Sequence, residues 1–172
     1  MKARVRFTLP EVDPAELAGS TAVVVDVIRA TSSICAALRS GARAIYPTAS
    51  MEEALRLAQS LGREDTLLCG ERKGARIEGF DLGNSPREFT PEAVADKRLV
   101  MNTTNGTRAF LAAEPADRVF AASLMNVRAV AEVVGGHDDL VVLCAGREDA
   151  FALEDAYCAG ALLRALGAGE KD

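Results

Sequence analysis

The chain has no tryptophan and a single histidine, His137. Its aromatics amount to six Phe and two Tyr, too few for a platform that stacks single-stranded bases. Cys35, Cys69, Cys144 and Cys158 stand far apart with no CxxC pair. With one histidine to join them they give a Cys/His zinc site little to build on, so they are expected as reduced, small core residues of a cytoplasmic protein. A basic excess is also missing: 20 Lys+Arg against 25 Asp+Glu leave a net charge of −5. That excludes a duplex nucleic-acid binder, which needs a basic face. No apolar run approaches the length of a membrane span. The start, Met1-Lys2-Ala3-Arg4-Val5-Arg6, carries charge but no apolar segment behind it, so no secretory leader is expected. Chemistry here falls to carboxylates, hydroxyls, amides and arginines.

What is present suits one globular domain over residues 1–172: 49% of the residues are hydrophobic and 26% charged, enough for a sizeable core. Thr21 to Asp26 is a continuous apolar run ending in an acid, as expected of a strand buried on both faces. A helix follows from Ala30 to Ser40, opened by Thr31-Ser32-Ser33 and stopped by Gly41. Ala42–Tyr46 is a second strand. Ser50-Met51-Glu52-Glu53 resembles a capping box opening a helix to about Leu61, closed by Gly62. Thr66–Gly70 is a third strand. From Glu71 to Phe89 the periodicity vanishes into a long irregular loop, of a kind that is often functional. Strands at Arg98–Met101, Arg118–Ala121 and Leu140–Cys144 then alternate with helices at Asn105–Ala113, Asn126–Val134 and Leu153–Leu166. Val5–Thr8 adds an edge strand. The alternation predicts a three-layer α/β/α fold around a mostly parallel sheet. The apolar face from Ala152 to Leu166 serves either the core or a homo-oligomer contact, and the core is the expected reading.

In open α/β sheets ligands bind beyond the carboxyl ends of the strands, and the conspicuous polar groups follow strand ends. Asp26 and Arg29 follow one strand, Glu71, Arg72 and Lys73 a second, Asn102 to Thr107 a third, and Arg147-Glu148-Asp149 a fourth. Asp26 reads as a Mg²⁺ ligand or a nucleophile, with a helix cap as the plainer alternative. The paired-aspartate pattern of haloacid-dehalogenase phosphatases fails, because Ile28 stands two positions after Asp26. No GxxxxGK[ST] phosphate loop occurs either. Two hydroxyl-rich helix starts, Thr31-Ser32-Ser33 and Thr103-Thr104-Asn105-Gly106-Thr107, are candidate anion seats or simple caps. Arg29 and Arg108 stand beside them. The Gly70–Phe80 stretch is locally basic, and Arg72, Arg76 and Arg87 suit clamping an anion, whereas Lys73 and Glu78 read as solvated. Asp81 and Asn84 also suit plain Asx-turns. Glu154-Asp155 opens the last helix, either favoured there by the helix dipole or reaching a cation held with Asp26.

Several motifs together resemble the 2-phosphosulfolactate phosphatase family. They are Val25-Asp26-Val27-Ile28-Arg29-Ala30-Thr31, Gly70-Glu71-Arg72 through Gly79-Phe80-Asp81, and Gly83-Asn84-Ser85-Pro86. Thr103-Thr104-Asn105-Gly106-Thr107-Arg108-Ala109, Cys144-Ala145-Gly146, Leu153-Glu154-Asp155 and Cys158-Ala159-Gly160 complete the set, in order over nearly the whole chain. Members of that family continue well beyond the position of Gly167. The resemblance implies a Mg²⁺-dependent phosphatase that releases phosphate from 2-phosphosulfolactate, a small anionic phosphomonoester, to leave sulfolactate on the way to coenzyme M. On this reading Asp26, Glu71 and one of Glu154 and Asp155 supply the metal ligands. Arg29 acts on the phosphate with Thr31, Ser32 and Thr103 to Thr107. Arg72 or Arg76 takes the organic acid group, and Asn84 and Ser85 join the substrate contacts. A metal-activated water is preferred as nucleophile over an aspartyl-phosphate on Asp26. Two other expectations stand beside it: a Cys-dependent amidohydrolase using Cys69 or Cys144, and a non-catalytic module that binds an anionic metabolite.

Overall fold

A computed structural model describes residues 1–167; residues 168–172 of the expected domain lie outside the described residues. Eight strands and six helices alternate along the chain: β1 (Lys2–Arg6), β2 (Thr21–Val25), α1 (Ala30–Arg39), β3 (Ala44–Pro47), α2 (Met51–Leu61), β4 (Thr66–Arg72), β5 (Ala75–Arg76), α3 (Pro91–Val94), β6 (Arg98–Asn102), α4 (Gly106–Ala112), β7 (Arg118–Ala122), α5 (Val127–Val134), β8 (Asp139–Cys144) and α6 (Leu153–Ala165). The capping signal before α2 acts one residue wider than a capping box. Ser50 Oγ accepts from Glu53 N at 3.1 Å, while the Glu53 carboxylate takes Ala49 N at 2.7 Å. Gly62, with φ of 88°, closes that helix as expected.

The strands form two four-stranded sheets instead of one, in the orders β1-β8-β2-β7 and β3-β6-β4-β5. Every pair is parallel except β4 with β5. β2 is buried along its whole length because both of its faces are covered. Val23 and Val25 join Val142 and Cys144 under α5 and α6. Ala22 and Val24 join Val141 and Leu143 under α4 on the other face. The second sheet repeats the layering. Its Cys69, Leu99 and Met101 pack on Ile34 and Ala37 of α1, and its Leu68 and Val100 on Ala54 and Ala58 of α2. Phe110 of α4 touches the cores of both sheets and joins them. No helix among the described residues is long and apolar enough to cross a membrane.

Within the stretch expected to be irregular, β4 and β5 make a hairpin with Glu71 opposite Arg76 and Arg72 opposite Ala75. Its two-residue tip, Lys73-Gly74, has φ of 52° and 83°. Positive φ at both tip residues gives the turn the twist that a tight hairpin needs.

Candidate active site

The carboxyl ends of β2, β8, β4 and β6, two from each sheet, meet around a cleft of about 560 Å³. Its acids are Asp26, Glu71, Glu148, Glu154 and Asp155, and its bases Arg29, Lys73 and Arg147. Asp26, Glu71 and Asp155 are buried, at 5%, 8% and 2% exposure, whereas all three bases are more open. The cleft therefore has a negative floor and a positive lip.

Asp26 follows directly on the buried β2, so its carboxylate is held at the floor. Burial raises its pKa from the ordinary 3.8 to about 7, and the nearby charges of Asp155, Glu71 and Glu154 push the same way; a hydrogen bond from the Ala30 backbone opposes them. The Ala30 N–H that meets Asp26 belongs to the first residue of α1, and the same carboxylate lines the cleft. Asp155 is likewise raised, to about 6, mainly by burial.

Glu71 and Asp155 differ from Asp26 in how they are tied. Asp155 Oδ1 accepts from Val27 N at 2.8 Å and its Oδ2 from Gly146 N at 3.1 Å, joining the loops after β2 and β8. Glu71 accepts from Thr104 N and Gly74 N, both at 2.7 Å, joining the loop after β6 to the hairpin tip. Each carboxylate is a clamp between two loops. Replacing Asp155 by Ala leaves two backbone donors without an acceptor. It is expected to cost on the order of 2 kcal/mol, read as a lower urea midpoint at unchanged slope.

The hydroxyls at the helix starts mostly turn inward. Thr31 Oγ1 donates to Asp26 O at 2.7 Å and accepts from Asp26 N at 3.0 Å. Ser32 Oγ donates to Val27 O, and Ser33 Oγ to Asn84 O, both at 2.8 Å. Thr103 and Thr107 cap one another, each hydroxyl accepting the other's backbone N–H. These five residues hold the loops in shape and do not line the cleft. Thr104 and Asn105 do line it. Gly106 lies directly behind Asp26: a Cβ there would stand 2.5 Å from Asp26 Oδ2.

Among the arginines, only Arg29 of those expected reaches the cleft, its Nη2 donating to Gly74 O at 3.1 Å. Arg72 is bound to Asn102 Oδ1 and to Glu71 O. Arg76 points to Asp81 O at 3.4 Å, and Arg108 pairs with Asp149 at 3.0 Å. Ser85 stands at a 3-10 turn where its N–H meets Glu88, outside the cleft lining. Asn84 does line it, is 4% exposed, and its Oδ1 is buried without a hydrogen-bond partner. Lys73, read from the sequence as merely solvated, and Arg147, noted there only as part of a polar loop, are the lip cations that sequence reasoning undervalued. The signal was Lys73-Gly74, a dipeptide suited to a tight turn between residues of strand character.

Thiol chemistry finds no support. Burial pushes the Cys69 thiol far up and that of Cys144 to about 12, so neither is a ready thiolate. His137 contacts Thr21 and Arg118, the first residues of β2 and β7, at the end of the sheet opposite the cleft.

A parallel α/β protein with such a cleft over its strand ends has it where folds of this class bind small molecules. The chain belongs to the 2-phosphosulpholactate phosphatase family, whose profile matches residues 7–172. It is 46% identical over 157 residues to a protein of Symbiobacterium thermophilum named probable 2-phosphosulfolactate phosphatase, covering 91% of this chain and 67% of that one. A Synechococcus protein of the same name is 45% identical, over 94% of this chain and 67% of its own. One from Clostridium beijerinckii is 39% identical, over 96% and 70%. The chain thus spans about two thirds of the length of these relatives.

Proposed function

We propose that this chain hydrolyses a small phosphomonoester, 2-phosphosulfolactate, to sulfolactate and phosphate with the help of Mg²⁺. One observation carries the reading. A buried carboxylate, Asp26, lies among further acids and has no salt-bridge partner among the described residues, in the cleft where the strand ends of both sheets meet. Its raised pKa marks a group that gains from a cation or a proton. The printed name of the relatives supplies the substrate.

The donor set suits Mg²⁺, which takes hard oxygen ligands, often only one or two carboxylates, and completes its shell with water and phosphate oxygens. Among the described residues no three Asp, Glu, His or Cys side chains are grouped as a metal cage. Asp26 and Glu154, which face the cleft without a clamping role, would hold the ion; Glu71 and Asp155 would shape the loops around them. When bound, the ion would neutralise phosphate oxygens and favour attack by water.

Hydrolysis breaks the ester P–O bond, forms a bond from water oxygen to phosphorus and returns a proton to the departing alkoxide oxygen. Arg29 would offer its guanidinium to the phosphoryl oxygens at the lip. Asn84, with its buried amide oxygen unpaired, would accept a hydrogen bond from the substrate or from water in the cleft. Four free cysteines, three of them buried, suit a reducing cytoplasmic setting.

The test is phosphate release from 2-phosphosulfolactate and a panel of simpler phosphomonoesters, with Mg²⁺ and with EDTA. Mg²⁺-dependent release is expected, fastest with 2-phosphosulfolactate. No release from any ester overturns the proposal, and thermal stabilisation by the esters without turnover would make the chain a binding module.

A further inference from the structure

Each sheet sends one tight turn to the lip of the cleft. The β4–β5 tip places Lys73 there. After β8, Arg147 and Ala150 exchange backbone hydrogen bonds at 2.9 and 3.0 Å around Glu148-Asp149, whose φ values are 50° and 64°. Non-glycine residues seldom hold positive φ unless their surroundings fix them. Both turns are fixed by the cleft itself. Gly74 N donates to Glu71 and Gly74 O accepts from Arg29. Glu148 N donates to Asn105 Oδ1 at 3.1 Å, and Asp149 pairs with Arg108. Arg72, Arg76 and Arg108, the other nearby arginines, are all engaged with protein oxygens. The side chains of Lys73 and Arg147, by contrast, have no hydrogen-bond or ion-pair partner among the described residues, although both line a cleft rich in acids.

Resting on the phosphatase reading, we infer that Lys73 and Arg147, one from each sheet, form a two-sided grip on the second anionic group of the substrate, its carboxylate or sulfonate. They are specificity-determining residues, and they take the role that the sequence gave to Arg72 and Arg76. The substrate class is then a small phosphomonoester carrying at least one further acid group. A rigid turn behind each cation limits the freedom lost on binding, so the grip discriminates by charge at fixed positions.

The variants Lys73→Gln and Arg147→Gln, singly and together, are assayed with 2-phosphosulfolactate and with p-nitrophenyl phosphate, which has no second anion. Each single change is expected to raise KM for 2-phosphosulfolactate about tenfold, several times more than for p-nitrophenyl phosphate, with kcat the less affected parameter. Lys73→Arg should restore most of the loss. Equal losses on both esters would reduce the two residues to a general attraction for phosphate, and an unmoved KM would remove them from the site; either result overturns the grip. Calorimetric binding of sulfolactate, which has no phosphate, separates this idea from the phosphatase reading. A wild-type protein that binds sulfolactate, and loses it in the double variant, keeps the grip even if it hydrolyses no ester. Binding that survives the double variant overturns it.

Discussion

Replacing Asp26 by Asn is expected to lower kcat/KM for phosphomonoester hydrolysis by on the order of 10³-fold, while making the metal-free protein more stable above pH 7. The two effects have opposite signs for one reason. The folded protein raises the Asp26 pKa from 3.8 to about 7, chiefly by burial. A raised carboxyl favours folding in its protonated form, so its contribution is whole below pH 4 and is lost as pH climbs towards 7. Asparagine keeps the shape of the neutral acid and has no proton to lose. The variant should match the wild type near pH 4 and exceed it at pH 8 by up to about 4 kcal/mol, with solvent relaxation reducing that figure. Asp155, raised to about 6, gives the variant a residual slope of the same sign over a lower window. Urea unfolding in EDTA at the two pH values, beside kinetics with Mg²⁺, checks both parts. Full activity in Asp26→Asn would remove the residue from the chemistry; lower stability at pH 8 would contradict the electrostatic account of its site.

Gly106→Ala is expected to be nearly as damaging without touching a charged group. The new methyl would stand 2.5 Å from Asp26 Oδ2 and closer still to Ala30 Cβ. Neither neighbour can yield cheaply, since Ala30 is fully buried in α1 and Asp26 is fixed at the end of β2. A helix-favouring gain of about 1 kcal/mol from removing glycine is outweighed by an overpacking cost of roughly 3 kcal/mol. Activity should fall at least tenfold, because the displaced group is the carboxylate itself, and a small misplacement at a reacting centre is costly. Gly160→Ala supplies the contrast: it lies within α6 with nothing within 4 Å of the added carbon. That change should raise stability by about 1 kcal/mol and leave kcat unaltered. Thermal melts and steady-state kinetics on both variants decide the matter, and a fully active Gly106→Ala would show that Asp26 has room to move.

Much of the fold was legible because buried parallel strands carry a strong local signature. Thr21–Val25 and Asp139–Cys144 are apolar at every central position, and a strand covered on both faces must be. The division into two sheets was not legible, since strand order is decided by packing between distant segments such as Phe110 and both cores. The hairpin strand Ala75–Arg76 is two residues long, too short for a period to show. For the site, residues singled out in the sequence near strand ends and at the start of the last expected helix do line the cleft, among them Asp26, Glu71, Asn84, Thr104, Asn105 and Glu154. Side-chain direction was hidden. A threonine at a helix start can face a ligand or its own backbone, and Thr31, Thr103 and Thr107 face backbone. Arginines misled in the same way, because Arg72 and Arg147 look alike in sequence and differ only in whether a neighbour has taken their donors.

The order of strands along the chain has a consequence for how the molecule is made. β3, β4, β5 and β6 lie within residues 44–102, between β2 and β7, so one sheet is nested inside the sequence of the other. During synthesis the inner sheet can complete its pairing early, using contacts of modest separation. β2 must wait for β7 and β8 to emerge, and β1 for Asp139, its partner at Lys2. The loop after Asp26 waits for α6, because its clamp is Asp155. A nascent chain released before that helix therefore has every strand of the inner sheet and lacks the carboxylate that ties the loops after β2 and β8 at the cleft.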